Sequence, residues 1–234
     1  AFSQQKLSCC SVVEVIVDSH AHLQIKEFWG SEYEEVVEQT AAAGLVVVNS
    51  GVSVKTSREA IELAERYPSF YATVGVAHRD AHVVSEEVVE KLRVMCEQPR
   101  VVALGEIGLD YYHMHHPPKV QMRGFVQQLK LAAEIGMPVV IHSREADRDV
   151  EAILDRYAVG KVDIVLHCFA GDERMLRWAV ERGVYLSISG MITRNPRLEK
   201  VVSSAPLESI LIETDSPFLT PKGLRGRNLS LIHI

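Results

Sequence analysis

The chain has 234 residues, of which 47% are hydrophobic and 24% charged, an ordinary globular balance with enough apolar surface for a full core. A net charge of -6 argues against a broad basic surface for nucleic acid, so a polyanion would have to be gripped locally, by metal ions and a few arginines. Without a Gly/Ser-rich or Pro-rich linker, an apolar run of about 18 residues or a secretion signal in AFSQQKLSCCS, the expectation is one cytoplasmic domain and no membrane contact.

Short β-branched runs alternate with longer amphipathic stretches along the chain. Strands are expected at residues 12–17, 45–48, 70–76, 101–104, 138–141, 163–166, 185–188 and 210–212, apolar enough to be buried on both faces as parallel strands are. Helices are expected at residues 31–43, 55–67, 85–97, 119–135, 145–157, 172–182 and 195–205. Gly44, Gly136 and Gly183 stand where a helix C-terminus favours glycine. Eight strands, all but the last followed by a helix, predict an α/β fold of the TIM-like (β/α)₈ barrel type. A doubly wound open sheet is the alternative, but no G-x-G-x-x-G follows the first strand. The eighth strand has no helix after it, and the final LSLIHI matches the in-frame translation of a common transposase sequencing adapter. The expected division is therefore a single barrel domain over residues 1–228, a fragment lacking its last helix, and a non-native tail over 229–234 in which His233 has no role.

Polar side chains that end apolar runs carry the chemistry. The first strand closes on Asp18-Ser19-His20-Ala21-His22, and alternation in a strand puts His20 and His22 on one face. Alone, such a pair is as readily a polar cap as a metal pair. Glu106 follows the fourth run, His142 the fifth, His167 the sixth and Asp215 the eighth. All sit at the strand ends where barrel enzymes place their sites. Four imidazoles and two carboxylates brought to one rim need a partner that satisfies them all, and a divalent cation pair does so. Asp18 is a candidate to orient an imidazole. Arg144, two residues past His142, could bind a phosphate or make a surface salt bridge. Tyr111 and Tyr112 could stack on a base or merely pack the rim. The loop cluster His113, His115 and His116 reads as solvated rather than as a third metal site. Cys9, Cys10, Cys96 and Cys168 form no C-x-x-C pair and read as reduced thiols.

The blocks DSHAHL, GEIGLDYY, PVVIHSREA, LHCFAG and ETDSPFLTP, in this order, resemble the TatD family of metal-dependent deoxyribonucleases, within the amidohydrolase-like barrels. The resemblance runs from about Val17 to Asn228. It implies that His20 and His22 bind a first metal, that Glu106 bridges two metals, and that His142 and His167 bind the second. Asp215 would complete the first site and orient or deprotonate the attacking water, making Asp215 and Glu106 the catalytic pair. One or two divalent ions are expected, with Mg, Mn and Zn all open. Arg225 and Arg227 precede Asn228 in a stretch similar to the family's RG-x-x-N-E-P block and, with Arg144 and Tyr111, are the expected substrate contacts. The chain departs from the family in two places. Ala21 replaces a usual Cys, and Gly75-Val76-Ala77-His78 replaces G-x-H-P, which leaves the substrate-contacting His shifted or lost.

The implied activity is 3'-5' exonucleolytic hydrolysis of phosphodiesters in DNA, single-stranded or at ends, by metal-activated water. D-aminoacyl-tRNA deacylation, with tRNA as partner, or hydrolysis of another ester or amide is the runner-up. A cyclic-amide hydrolase would carry a modified lysine where Glu106 stands. A non-catalytic barrel would have no reason to keep the full ligand set. No obligatory protein partner is evident.

Overall fold

The computed structural model describes residues 15–224. The expected tail, Arg225 and Arg227 fall outside them. Eight strands alternate with seven helices: β1 (Val17–Ala21), α1 (Tyr33–Ala42), β2 (Val46–Ser50), α2 (Val54–Arg66), β3 (Phe70–Val74), α3 (Glu86–Cys96), β4 (Val101–Asp110) and α4 (Pro118–Ile135). Then come β5 (Val139–Arg144), α5 (Asp147–Tyr157), β6 (Ile164–Leu166), α6 (Glu173–Glu181), β7 (Tyr185–Ile188), α7 (Pro196–Val202) and β8 (Ile210–Ile212). The strands pair in chain order, each parallel to the next, which is the TIM-like barrel. None of the described helices is long and apolar enough to cross a membrane.

The seam between β1 and β8 is closed past the end of β8. The Asp215 N–H donates to the His20 carbonyl (2.9 Å) and the His22 N–H to the Ser216 carbonyl (2.8 Å). Asp18 locks the same seam: its carboxyl accepts the Thr214 hydroxyl (2.7 Å) and the N–H groups of Thr214 and His20. No helix follows β8 among the described residues, and the outer faces of Val17 and Ile212 remain 43% and 57% exposed.

Local chemistry explains the helix ends. Ser53 and Thr56 form a reciprocal capping box at the start of α2, Asp172 accepts two N–H groups of α6, and Gly136 ends α4 in the left-handed region at φ 69°. Phe70, Leu104, Ile107, Ile141 and Leu166 from the strands and Phe125, Leu129 and Leu154 from the helices are buried in one hydrophobic core.

Two boundaries differ from expectation in ways that matter. The first strand begins at Val17, so it contains Asp18 and His20 instead of ending before them. The fourth runs six residues further than its apolar run, to Asp110, and carries Glu106 within it. Polar residues and two glycines hide this extension from a hydrophobic pattern. Each glycine is there for close approach: a Cβ on Gly105 would press on Val140, and one on Gly108 would collide with the His142 carbonyl.

Candidate metal centre

Four strands, or the residues just past their ends, and the segment after β8 deliver one cluster of side chains. His20 in β1 and His22 just past its end bring their Nε2 atoms within 3.2 Å of each other. The two oxygens of Glu106 face different partners. Oε2 lies 3.5 Å from His20 Nε2 and 3.7 Å from His22 Nε2; Oε1 lies 3.0 Å from His142 Nδ1 and 3.3 Å from His167 Nε2. Asp215 Oδ1 lies 3.3 Å from His22 Nε2 and 3.6 Å from His20 Nε2, with its backbone in the left-handed region at φ 57°. All six expected ligands therefore meet, divided by Glu106 into a set of His20, His22 and Asp215 and a set of His142 and His167.

The hydrogen bonds behind the cluster set the tautomers. His22 Nδ1 is 2.8 Å from the Ser50 carbonyl, which can only accept, so Nδ1 carries the proton and Nε2 presents a lone pair to the cluster. His142 Nε2 faces the Asp110 carboxylate at 3.3 Å, which turns the Nδ1 lone pair toward Glu106. Lone pairs thus confront carboxylate oxygens at 3.0–3.7 Å. Such contacts repel unless positive charge lies between them.

The titration behaviour expresses the same demand. Burial opposes the charge on Glu106, yet the His167 and His142 imidazoles hold its carboxyl well below the usual range. Burial likewise opposes ionisation of Asp215, and His22 outweighs it. In return, burial would depress His22, His142 and His167, but Asp215, Asp110 and Glu106 respectively hold them raised. His20 goes the other way, lowered by burial and by the neighbouring His167. A dry cluster of anions and imidazoles that recruits positive charge fits a divalent cation. Potential ligand atoms of His20, His22 and Glu106, and of His78, Glu106 and His142, lie within 4.8 Å of one another.

The sequence profile of the TatD related DNase family matches residues 17–232. The chain belongs to the TatD family. It is 36% identical over 216 residues to the metal-dependent hydrolase YabD of Bacillus subtilis, covering 91% of this chain and 84% of that one. The 3'-5' ssDNA/RNA exonuclease TatD of Salmonella typhimurium is 34% identical over 206 residues, covering 86% of this chain and 79% of the relative. Among solved structures, the TatD homologue YjjV of Escherichia coli superposes with a TM-score of 0.80 at 28% identity, over 92% of this chain and 84% of that one.

TatD-family membership makes the remaining placements informative. His78 reaches the mouth of the cluster: its ring stacks on His142 at 4.6 Å and its Nε2 lies 3.5 Å from Asp110 Oδ2. Arg144 has no carboxylate within salt-bridge distance among the described residues; its guanidinium lies over the exposed ring of Tyr112, 4.2 Å from the centroid. Tyr111 instead donates its hydroxyl to Asp149 (2.8 Å), so Tyr112 offers the open aromatic face. Asp18 is tied to Thr214 and the His20 backbone and orients no imidazole ring; burial lifts its pKa to about 7. His113 is not simply solvated, because its Nδ1 and N–H both bond Asp110.

Two residues of the site escaped the sequence reading. Asp110, 1% exposed, receives His113 (2.8 Å) and His142 (3.3 Å) on Oδ2, and their hydrogen bonds outweigh burial to hold it far below the usual carboxylate range. Glu213 accepts the Cys168 N–H at 2.7 Å and stands 3.6 Å from His167 Nδ1. Both lie inside quoted motifs, GEIGLDYY and ETDSPFLTP. Their parity with Glu106 and Asp215 was the available signal.

Proposed function

We propose that the chain is a metal-dependent hydrolase that shortens single-stranded DNA, in the 3'-5' direction, by attack of water on the terminal phosphodiester. The observation that carries this reading is the divided carboxylate: Glu106 turns one oxygen to His20 and His22 and the other to His142 and His167. Relatives named as a metal-dependent hydrolase and as 3'-5' ssDNA/RNA exonucleases support the activity and its substrate class.

In this reading His20, His22 and Asp215 would hold a first cation and His142 and His167 a second, with Glu106 available to both. The imidazole-rich set suits zinc or manganese, while the carboxylates also accept magnesium. Bound there, divalent cations lower the pKa of water toward neutrality and offset charge on the attacking and leaving oxygens. The chain's own groups do the rest. Asp215, kept ionised beside His22, is the acceptor for the proton of the attacking water. Ser50 fixes the His22 tautomer, and Asp110 fixes that of His142. Arg144, two residues from His142 and with its guanidinium over Tyr112, is the candidate for a substrate phosphate, and the Tyr112 ring for a base. Arg225 and Arg227 are further candidates for phosphate contact.

The test is incubation of the protein with end-labelled single-stranded DNA and, separately, with D-aminoacyl-tRNA, across Mg, Mn and Zn with a chelator control. DNA should shorten stepwise and the chelator should stop it. Asp215→Asn should keep its circular dichroism and lose about 10²- to 10⁴-fold in rate. Intact tRNA with released amino acid, and no shortened DNA, would replace this reading with the deacylase. A cleanly purified Asp215→Asn variant of undiminished activity would overturn the mechanism.

A further inference from the structure

We propose that the groove between α6 and α7 is a second polyanion subsite, which holds the phosphodiester backbone of the strand away from the scissile end. This rests on the reading of the mouth as a nuclease site. The groove has a volume of about 670 Å³ and opens between the N-terminal turns of the two helices, beside the loop that leads from His167 through Ala170 and Gly171 into α6. Its floor includes Leu198 and Val201. Its walls carry Arg174 and Arg177 from α6 and Arg197 and Lys200 from α7.

The charge balance there runs against the rest of the molecule. The whole chain has 31 acidic and 25 basic residues, so an exposed cation has more than enough carboxylates available as partners. Arg177, Arg197 and Lys200 have no carboxylate within salt-bridge distance among the described residues, so four cations face two acids across this groove. The two acids in the groove are Asp172 and Glu173. Asp172 is already committed to the N–H groups of Arg174 and Met175 as the cap of α6. Asn195 caps α7 through its Oδ1, which leaves its amide N–H₂ as a further donor. Arg174 is braced from behind by Glu151.

A neighbouring furrow at the mouth has the opposite character. It sets Glu145, Asp147, Asp149 and Asp172 against only Arg148 and Arg174. A polyanion leaving the metal centre is repelled on that side and attracted on the α6–α7 side. Clustered cations beside the apolar Leu198 and Val201 suit the phosphodiester backbone of a single strand.

The experiment compares the 234-residue protein with its Arg177→Ala/Arg197→Ala/Lys200→Ala variant. All three side chains are exposed, and an unchanged melting temperature checks the fold. Two substrates are used: an oligothymidylate of about 15 nucleotides and the dinucleotide, whose single phosphodiester is the scissile one and leaves none for the groove. The variant's KM for the oligonucleotide should rise about ten-fold, and its salt slope should fall by about 2, while dinucleotide kinetics stay within about two-fold. Equal losses on both substrates, or an unchanged oligonucleotide KM, would overturn the subsite. Anisotropy of a labelled oligothymidylate in EDTA reads the groove without catalysis. If neither substrate is cleaved by the unaltered protein, the nuclease reading fails, and weaker binding by the variant would still uphold the groove. Displacement of the strand by orthophosphate at matched phosphate concentration would make this a small-anion site and sink the proposal.

Discussion

Glu106 is surrounded by four imidazoles yet remains an anion, and the residues just outside that ring decide how the imidazoles present themselves. His142 can offer Nδ1 to Glu106 because Asp110 takes Nε2. Asp110→Asn keeps the shape but replaces a fixed acceptor with an amide that can also donate. It should weaken metal binding about 10- to 100-fold at the His142–His167 side, measured by calorimetric titration with Mn or Zn. Unchanged affinity would reduce Asp110 to packing. Arg144→Ala removes the guanidinium that lies over Tyr112, and should cost about 1–3 kcal/mol in kcat/KM on DNA, read from steady-state kinetics. The six ligand candidates were legible in the sequence because each one ends or closely follows an apolar run, where a polar residue is conspicuous. Asp110 and Glu213 were fainter, since only their even spacing from Glu106 and Asp215 distinguishes them from ordinary surface acids. Only the length of β4 and the proximity of β6 to the end of β8 make them part of the site.

At the level of elements, the barrel's apolar rhythm was the clearest signal. β7 and β8 fall on the residues expected, and every helix falls within a few residues of its predicted span. The misjudged strands are β1, β4 and β5, where function places polar residues, and in β4 glycines, inside a strand. Gly108 shows the cost of that arrangement. Gly108→Ala would drive a Cβ into the His142 backbone at a position whose φ of 144° L side chains rarely adopt. The variant should lose metal binding and several kcal/mol of stability together, as urea unfolding and metal titration would report. The β1–β8 seam is similarly dependent on Asp18, whose carboxyl accepts three hydrogen bonds across it. Asp18→Ala leaves the Thr214 and His20 donors buried without an acceptor and should cost about 2–4 kcal/mol. Because His20, His22 and Asp215 stand on either side of that seam, their cation affinity should fall with it. A variant that is destabilised but binds metal normally would separate closure from the site.

For the whole molecule, cation binding and folding are one equilibrium. The cluster joins β1, β4, β5, β6 and the segment after β8, so an unfolded chain has no comparable site. A ligand that binds only the folded state stabilises it by RT ln(1 + [L]/Kd), about 2.7 kcal/mol at a hundred-fold excess over Kd. For a domain of this size, that corresponds to a rise in Tm of roughly 5–10 °C. The protein should therefore melt lower in EDTA than with Mn or Zn, with Tm climbing as the logarithm of metal concentration. The dependence should flatten in Glu106→Gln, which removes one charge from the carboxylate that faces His20 and His22 with one oxygen and His142 and His167 with the other. It should persist in the α6–α7 groove variant, which leaves the ligands untouched. A melting temperature indifferent to metal, in protein first stripped by chelation, would mean that protons alone supply the positive charge these lone pairs and carboxylates require.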